Sequence, residues 1–385
     1  MKILIVGAGP AGLTLGNFLD TKKHQVTIIE RQKKFKTMGY GLYFLDEGKE
    51  IMKNVLSMHD FHKYSENINL KYYLNNNGET IVKQHHNTLF DVKKNHTITS
   101  ITRGDLHKLL RKKLSKNIKI NKGITISKIR NNKKSVKVTF SNKKTDTFEL
   151  VVGSEGVHSP LRKKFFVSHY DEFPFNLRYL WMPNHSNKFQ LVITRNSLLM
   201  YLPLKKKPIG LVYERLGEKD SYFDLRQYYR HYKFDMKKLK KAYDTSLITK
   251  TGYLYTESWF NNRIVLIGDA QHAMTPTQGY GTSLAIEDAH HLAMHLNKED
   301  FDLQKDLTMF SKSREKRVRA LRRQNKFVEL LTFRNSKIYY YLYHNMKWMT
   351  VFLAYLIDLT SIFALKEDPF YKKKSKTGKS KQPNK

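Results

Sequence analysis

Three glycines near the start of the chain stand at a spacing suited to phosphate chemistry: Gly7, Gly9 and Gly12, in the run Gly7-Ala8-Gly9-Pro10-Ala11-Gly12. An apolar stretch, Lys2 to Val6, precedes them and a helical stretch follows; Gln25 to Ile29 then leads into Glu30 and Arg31. Gly7 permits a tight turn off the strand, Gly9 lets the backbone approach a diphosphate, and Gly12 lets the helix pack closely on the sheet. The free N–H groups and the dipole of the helix N-terminus favour negative charge, and Glu30 is placed to accept hydrogen bonds from an adenosine ribose. Ala11 and Arg31 complete the candidate set at this end. Together these residues point to a ligand that contains ADP. A secretory signal over Met1 to Leu19 is the rival interpretation. It is rejected because the glycines interrupt the apolar run, and cleavage would remove the first strand of a unit that the next residues complete.

Two later runs carry comparable chemistry. The strand Phe148 to Val152 leads into Gly153-Ser154-Glu155-Gly156-Val157-His158-Ser159-Pro160-Leu161-Arg162. The strand Ile264 to Ile267 leads into Gly268-Asp269-Ala270-Gln271-His272-Ala273-Met274-Thr275-Pro276, then Gly279-Tyr280-Gly281-Thr282 and a helix through Glu287 and Asp288. With the opening glycines, these runs resemble the three fingerprints of the single-component, FAD-dependent aromatic hydroxylases, the class A flavoprotein monooxygenases related to p-hydroxybenzoate hydroxylase. The resemblance extends from Met1 to about Leu331.

The resemblance implies FAD as cofactor and NADPH or NADH as a transient co-substrate. Oxygen would be activated as a flavin hydroperoxide and transferred to an organic, cyclic or aromatic small molecule. Asp269 would hold a ribityl hydroxyl, Gly279 and Gly281 would let the chain pass against the isoalloxazine, and a helix beginning near Thr282 would aim its amides at the flavin. The segment around Glu155 would contribute to binding FAD and the nicotinamide nucleotide, or else form a buried turn held by Ser159 and Arg162. Arg162 is available for a phosphate or a structural ion pair. Arg103 matches a family arginine at the head of a helix along the cofactor. At a helix N-terminus the dipole disfavours arginine, which a phosphate or flavin contact would offset. The chain departs from the family pattern at Tyr280, where glutamine is usual, and at Glu155, where aspartate is usual. No catalytic residue can be named.

Other chemistries find little support. The pairs His85-His86 and His290-His291 are not taken as metal ligands, since adjacent residues do not share a helix face and no convergent ligand set accompanies them. His272 lies in the flavin motif in a structural role. Cysteine is absent, which excludes disulfides and thiolate chemistry. A second Gly-x-Gly-x-x-Gly is absent too, against two-dinucleotide reductases and Baeyer–Villiger enzymes, and Trp181, Trp259 and Trp348 lie too far apart for a halogenase signature. An FAD-dependent dehydrogenase or reductase without oxygen insertion, and a non-catalytic binding protein on the same fold, remain as alternatives.

The elements that must position these residues follow from periodicity. The 385 residues suffice for one large or two ordinary domains. Asn69 to Leu74 and Thr80 to Lys83 form a hairpin of a second sheet around Asn75-Asn76-Asn77-Gly78, and Arg103-Gly104-Asp105 starts a helix with Leu106, Leu109, Leu110 and Leu114 on its buried face. Strands follow around 118–120, 124–129, 136–140 and 148–152, and an antiparallel region spans Asn176 to Tyr255. The two glycines of Met38-Gly39-Tyr40-Gly41 suggest backbone close to a ligand. The fold class is therefore α/β: a Rossmann-like FAD-binding domain (1–68, 98–170, 256–331) with an inserted, mainly antiparallel β-sheet substrate domain (69–97, 171–255). C-terminal helices (332–371) and a basic disordered tail (372–385) complete the chain. Ile338 to Tyr343 and Trp348 to Leu365 are apolar and aromatic. Helices covering the core are preferred there over an interfacial membrane helix, which the basic tail would attract to anionic lipid. Formal net charge is +36, from lysine spread over most segments. It is read as solvated surface of a cytoplasmic protein, with peripheral membrane association as the alternative and no nucleic-acid partner.

Overall fold

The structure is a computed structural model. It describes residues 1–35, 41–68, 70–75, 77–85, 98–182, 188–194, 197–205, 208–215, 225–226 and 235–330, with single positions between 341 and 356. Its first layer is a six-stranded sheet in the order Phe260–Asn261, Ile264–Leu266, Leu150–Gly153, Lys2–Val6, Gln25–Glu30, Lys119–Lys122. All pairings are parallel except that of the terminal hairpin Phe260–Asn261 with Ile264–Leu266. The central strands are continuously apolar because both faces are covered. Ile3, Ile5, Leu150, Val152 and Val265 pack on one side against the helices Pro10–Phe18, Arg103–Lys113 and Tyr280–Leu296. Leu4, Val6, Val151, Ile264 and Leu266 pack on the other against an antiparallel meander, Ile126–Asn131, Val136–Phe140 and Thr145–Phe148.

The expected strand Phe148 to Val152 is two strands. Thr145–Phe148 closes the meander, and Leu150–Gly153 enters the parallel sheet. Glu149 marks the exchange: it is exposed between buried Phe148 and Leu150 and accepts the Lys2 N–H at 2.7 Å.

The second large sheet has seven strands, in the order Leu247–Thr256, Ser168–Trp181, Ile209–Arg215, Ser197–Leu202, Phe189–Ile193, Leu70–Leu74, Thr80–His85. The expected hairpin forms its edge, and Phe189–Ile193 with Leu70–Leu74 is its one parallel pairing among the described residues. Ser168–Trp181 is continuous through residues 170–171, where the two domains were expected to meet. Both faces of this sheet carry apolar clusters. A small sheet unforeseen in the sequence, Gly41–Phe44, Ile98–Thr102 and Ser65–Ile68, lies between the two layers in chain order. It corrects the role expected of Gly41, whose missing Cβ would stand 2.6 Å from Leu202 Cδ2 and 2.8 Å from Ile209 Cγ2. Gly41 is small so that the seven-stranded sheet can pack on it. Met38, Gly39 and Tyr40 lie outside the described residues.

The helix Leu303–Glu329 packs on the helix Tyr280–Leu296 beside the parallel sheet. Beyond it, Tyr341, Trp348 and Phe352 are exposed, while Val351 packs against the second sheet's apolar cluster. The rest of the two aromatic runs, the tail Lys372 to Lys385, Asn76 and His86 lie outside the described residues. Among the described residues no helix is long and apolar enough to cross a membrane.

Candidate functional site

The glycine loop follows Lys2–Val6 at the C-terminal edge of the parallel sheet, where ligands of such folds sit. Gly7 has φ +105°, and a Cβ there would lie 2.6 Å from Ser154 O. A Cβ at Gly12 would collide with Gly7 O and come within 2.6 Å of Ser154 Oγ. Both are glycine because of the protein itself. Gly9 differs: its nearest neighbour would be Ser154 O at 4.0 Å, so its smallness answers to open space. Ala11, the second residue of the helix, is buried. Glu30 accepts the Ala8 N–H at 3.0 Å and the Gln32 N–H at 2.9 Å, one on each oxygen. His107, on the helix Arg103–Lys113, donates from Nε2 to Ala8 O at 2.9 Å. The Ala8 peptide is thus held from both sides. His107 was missed in the sequence, where only the leucines of its helix stood out.

The second run forms a turn tied to both neighbours. Ser154 Oγ lies 2.9 Å from the carbonyls of Val6 and Gly7. Ser159 Oγ donates to Glu155 at 2.5 Å and caps the next helix by accepting the Arg162 N–H at 3.1 Å. Arg162 is buried and donates to Val157 O at 2.6 Å and Ala270 O at 3.2 Å. Its guanidinium therefore braces the second run against the third, the structural of the two roles left open. Burial pushes the Glu155 carboxyl up to about 7, against Ser159 and the charges of Arg162 and Arg31. Arg31 itself is exposed.

In the third run Gly268 has φ +61° and donates its N–H to Asp288 at 2.8 Å. His272 Nε2 reaches the same oxygen at 2.6 Å, and Arg314 Nε donates to the other at 2.7 Å. Burial opposes ionisation of Asp288, but His272 and Arg314 hold its carboxyl down at about 2. His272 is structural, as expected. Asp269 is the first residue of the short helix Asp269–His272; its side chain is solvent-exposed, and no described residue donates to it. Protein crowding around it nonetheless raises its pKa, against the lowering charges of His272 and Arg103. Exposed yet enclosed describes a carboxylate on a cleft wall.

One expectation for this run changes. The helix begins at Tyr280, so Thr282 is its third residue, and a 3-10 turn, Pro276–Gln278, precedes it. Gly279, with φ +64°, faces the Tyr43 ring, which a Cβ would overlap. The Tyr43 ring and the left-handed backbone together require a glycine at this position. Gly281 keeps its expected openness, since a Cβ there would meet only Asp269 Oδ1, at 3.7 Å. Tyr280 turns inward and donates to Gln324 at 2.6 Å, away from the cleft. Arg103 is exposed at the first position of its helix. Thr102 accepts the Asp105 N–H at 3.0 Å, and its hydroxyl lies 2.8 Å from the Asp105 carboxylate. The acid in the first turn offsets the arginine's conflict with the dipole.

The C-terminal edge of the sheet thus carries the carboxylates of Glu30 and Asp269 and the gaps at Gly9 and Gly281, with the exposed cations Arg31 and Arg103. Acceptors at both ends and bare backbone between them fit a dinucleotide with hydroxyl-bearing sugars.

Residues 1–320 match the model of a family described as FAD binding domain. The chain is 24% identical over 349 residues to the 2-heptyl-3-hydroxy-4(1H)-quinolone synthase of Pseudomonas aeruginosa, covering 84% of this chain and 88% of that protein. It is 23% identical over 337 residues to the 6-hydroxynicotinate 3-monooxygenase of Pseudomonas fluorescens, covering 77% and 83%. The fold matches that of HpxO from Klebsiella pneumoniae, solved with FAD and uric acid, with a TM-score of 0.78, 18% identity and coverage of 96% and 98%.

Proposed function

We propose, from the premise that this chain belongs to the FAD binding domain family of flavoprotein monooxygenases, that it uses NAD(P)H and O2 to hydroxylate or epoxidise an organic, cyclic or aromatic small molecule. The observation that carries this reading is the row of ligand-ready groups along one edge of the parallel sheet. Bound FAD would supply the chemistry, passing reducing equivalents from the nicotinamide to O2 and one oxygen atom to the substrate. The protein supplies position and charge. Glu30 and Gly9 would take the ADP end, with the N–H groups of the helix Pro10–Phe18 facing the diphosphate. Asp269 would accept from a polyol hydroxyl, and Arg103 would balance phosphate charge nearby. The N-terminal amides of the helix Tyr280–Leu296, with Gly281 and Thr282 in its first turn, would face the ring and favour negative charge there. Glu155 and Arg31 would flank the diphosphate side.

The substrate would lie between this edge and the seven-stranded sheet, so the parallel-sheet half is assigned to the cofactor and the antiparallel half to the substrate. The relatives' names refer to a quinolone and a hydroxynicotinate, in keeping with a cyclic substrate. A weak, peripheral attachment to anionic membrane is proposed for the C-terminal segment, on the exposed Tyr341, Trp348 and Phe352 and the lysines between 372 and 385.

Purified protein is expected to be yellow and to release FAD on denaturation, as read by chromatography. Recovery of FMN alone would contradict the ADP site, and colourless protein that takes up no added FAD would remove the enzyme. Substrate-stimulated NAD(P)H oxidation with oxygen uptake supports a monooxygenase; reduction without oxygen incorporation would replace it with a dehydrogenase.

A further inference from the structure

A buried polar cluster lies beneath the turn that leads into the helix Tyr280–Leu296. Glu329, at the last position of the helix Leu303–Glu329, is 5% exposed. Tyr253 Oη, from the edge strand of the seven-stranded sheet, donates to one of its oxygens at 2.8 Å. The other oxygen accepts from Thr275 Oγ1 and lies 3.0 Å from Thr277 Oγ1. Asn325, one turn earlier on the helix, donates to Tyr253 Oη and to Thr275 Oγ1, both at 2.8 Å, while Thr277 Oγ1 donates to Asn325 Oδ1 at 2.7 Å. Every hydroxyl proton and both amide protons then have an acceptor, and the direction of each bond is fixed by the two-proton amide.

Other buried acids of this half have cationic partners: Glu287 and Asp288 are paired with Arg314 and Arg317, and Asp306 with Lys298. Among the described residues Glu329 has no such ion pair. Burial raises its pKa against the hydrogen bonds from Thr275, Tyr253 and Thr277. The charge of Lys326 also favours the ionised form, though not from within ion-pair contact; a carboxyl this buried is costly, and what it holds is the turn Thr275–Gly279.

We propose that Glu329, with Asn325, is a positioning residue for the cofactor: by gripping Thr275 and Thr277 it sets the turn whose far side opens on the ring end of the cleft, although it touches no cofactor atom. The inference rests on the reading that Asp269, Gly281 and the start of the Tyr280 helix wall that cleft. The C-terminal helix and the substrate-side strand are thereby joined to the cofactor wall through one side chain.

The test uses holoenzyme of Glu329→Ala, Glu329→Gln and Thr277→Val, comparing the visible flavin spectrum, the FAD dissociation constant and thermal stability. Loss of two buried hydrogen bonds predicts about tenfold weaker FAD in Glu329→Ala, with a shifted flavin band. Glu329→Gln should recover most of both. Thr277→Val, which keeps the shape of the turn, should shift the band with a smaller loss of stability than Glu329→Ala, and it alone decides if Glu329→Ala does not fold. An unchanged spectrum and FAD affinity in folded Glu329→Ala, a glutamine variant no better than alanine, or an unshifted band in Thr277→Val would each overturn the proposal. If Asp269→Ala binds FAD like wild type, the cleft itself is misplaced, a failure distinguishable from this one.

Discussion

Asp269 and Glu30 are both carboxylates just past strand ends, but their partners differ. Each oxygen of Glu30 already holds a backbone amide, whereas no described residue donates to Asp269. A hydroxyl bound by Asp269 would gain a charge-assisted bond inside an enclosing cleft, worth about 1.5–3 kcal/mol. Asp269→Ala should therefore weaken FAD roughly tenfold to a hundredfold, and Glu30→Ala less, since water can replace its carboxylate at the ribose end. Flavin-fluorescence titration of the apo variants checks the order. Glu155 offers a pH test. Its carboxyl stands at about 7 in the folded protein, raised from 4.5, so between those values the folded state holds a proton that the unfolded state has lost. Its contribution to stability is full below 4.5 and falls as pH rises to about 7. Thermal melts of Glu155→Gln should gain on wild type across that interval, and parallel curves would show the carboxyl ionised throughout. Gly7 and Gly12 were legible from the spacing of the strand-to-helix turn, even though Ser154, which also crowds both, lies far along the chain. The crowding of Gly41 and Gly279 was not legible, because the atoms responsible, from Leu202, Ile209 and Tyr43, come from distant sequence.

The helices Tyr280–Leu296 and Leu303–Glu329 meet across charges rather than apolar residues alone. Arg314 and Arg317 are fully buried and bind Glu287 at 2.9 Å and 3.2 Å, with Arg314 also on Asp288. Removing one partner leaves the other charge buried, so Arg314→Ala should cost about 3–5 kcal/mol. Loss of the exposed pair Arg319–Glu315 should cost less than about 1 kcal/mol. Denaturant unfolding of the two variants measures both, and equal small losses would mean that water reaches the cluster. The sequence showed a basic helical stretch from Arg314 to Arg323. Which arginines face inward was written in their spacing: Arg314, Arg317, Leu321, Asn325 and Val328 share one buried stripe. Charge type, which ordinarily marks a solvated face, hid it. The partners of Glu329 were equally out of reach, since Thr275 and Tyr253 lie 54 and 76 positions away. The parallel strands Lys2–Val6, Gln25–Glu30 and Ile264–Leu266 were read almost to the residue from their apolar runs, whereas Leu150–Gly153 was run together with the end of the meander.

For the molecule as a whole, a formal charge of +36 should draw it to anionic vesicles at low salt and release it near 0.5 M, where the screening length is about 4 Å. Deletion from Lys337 onward separates the two roles of the C-terminal segment. Because Val351 packs on the second sheet's apolar cluster, the truncated protein should aggregate or lose flavin. Soluble, flavin-binding protein that no longer sediments with vesicles would make the segment purely a membrane contact. The strand order has a consequence for biosynthesis. Lys2–Val6 is made first but lies at the middle of its sheet, between Gln25–Glu30 and Leu150–Gly153, and the next strand over, Ile264–Leu266, is made later still. On a ribosome adding about 5–20 residues per second, one side of the first strand stays an open, apolar edge for roughly ten to thirty seconds. The glycine loop exists in the nascent chain well before Ser154 arrives to brace it or Asp269 to face it. Cofactor capture therefore belongs to the completed polypeptide, and the half-made chain is the form most exposed to aggregation and most in need of a chaperone.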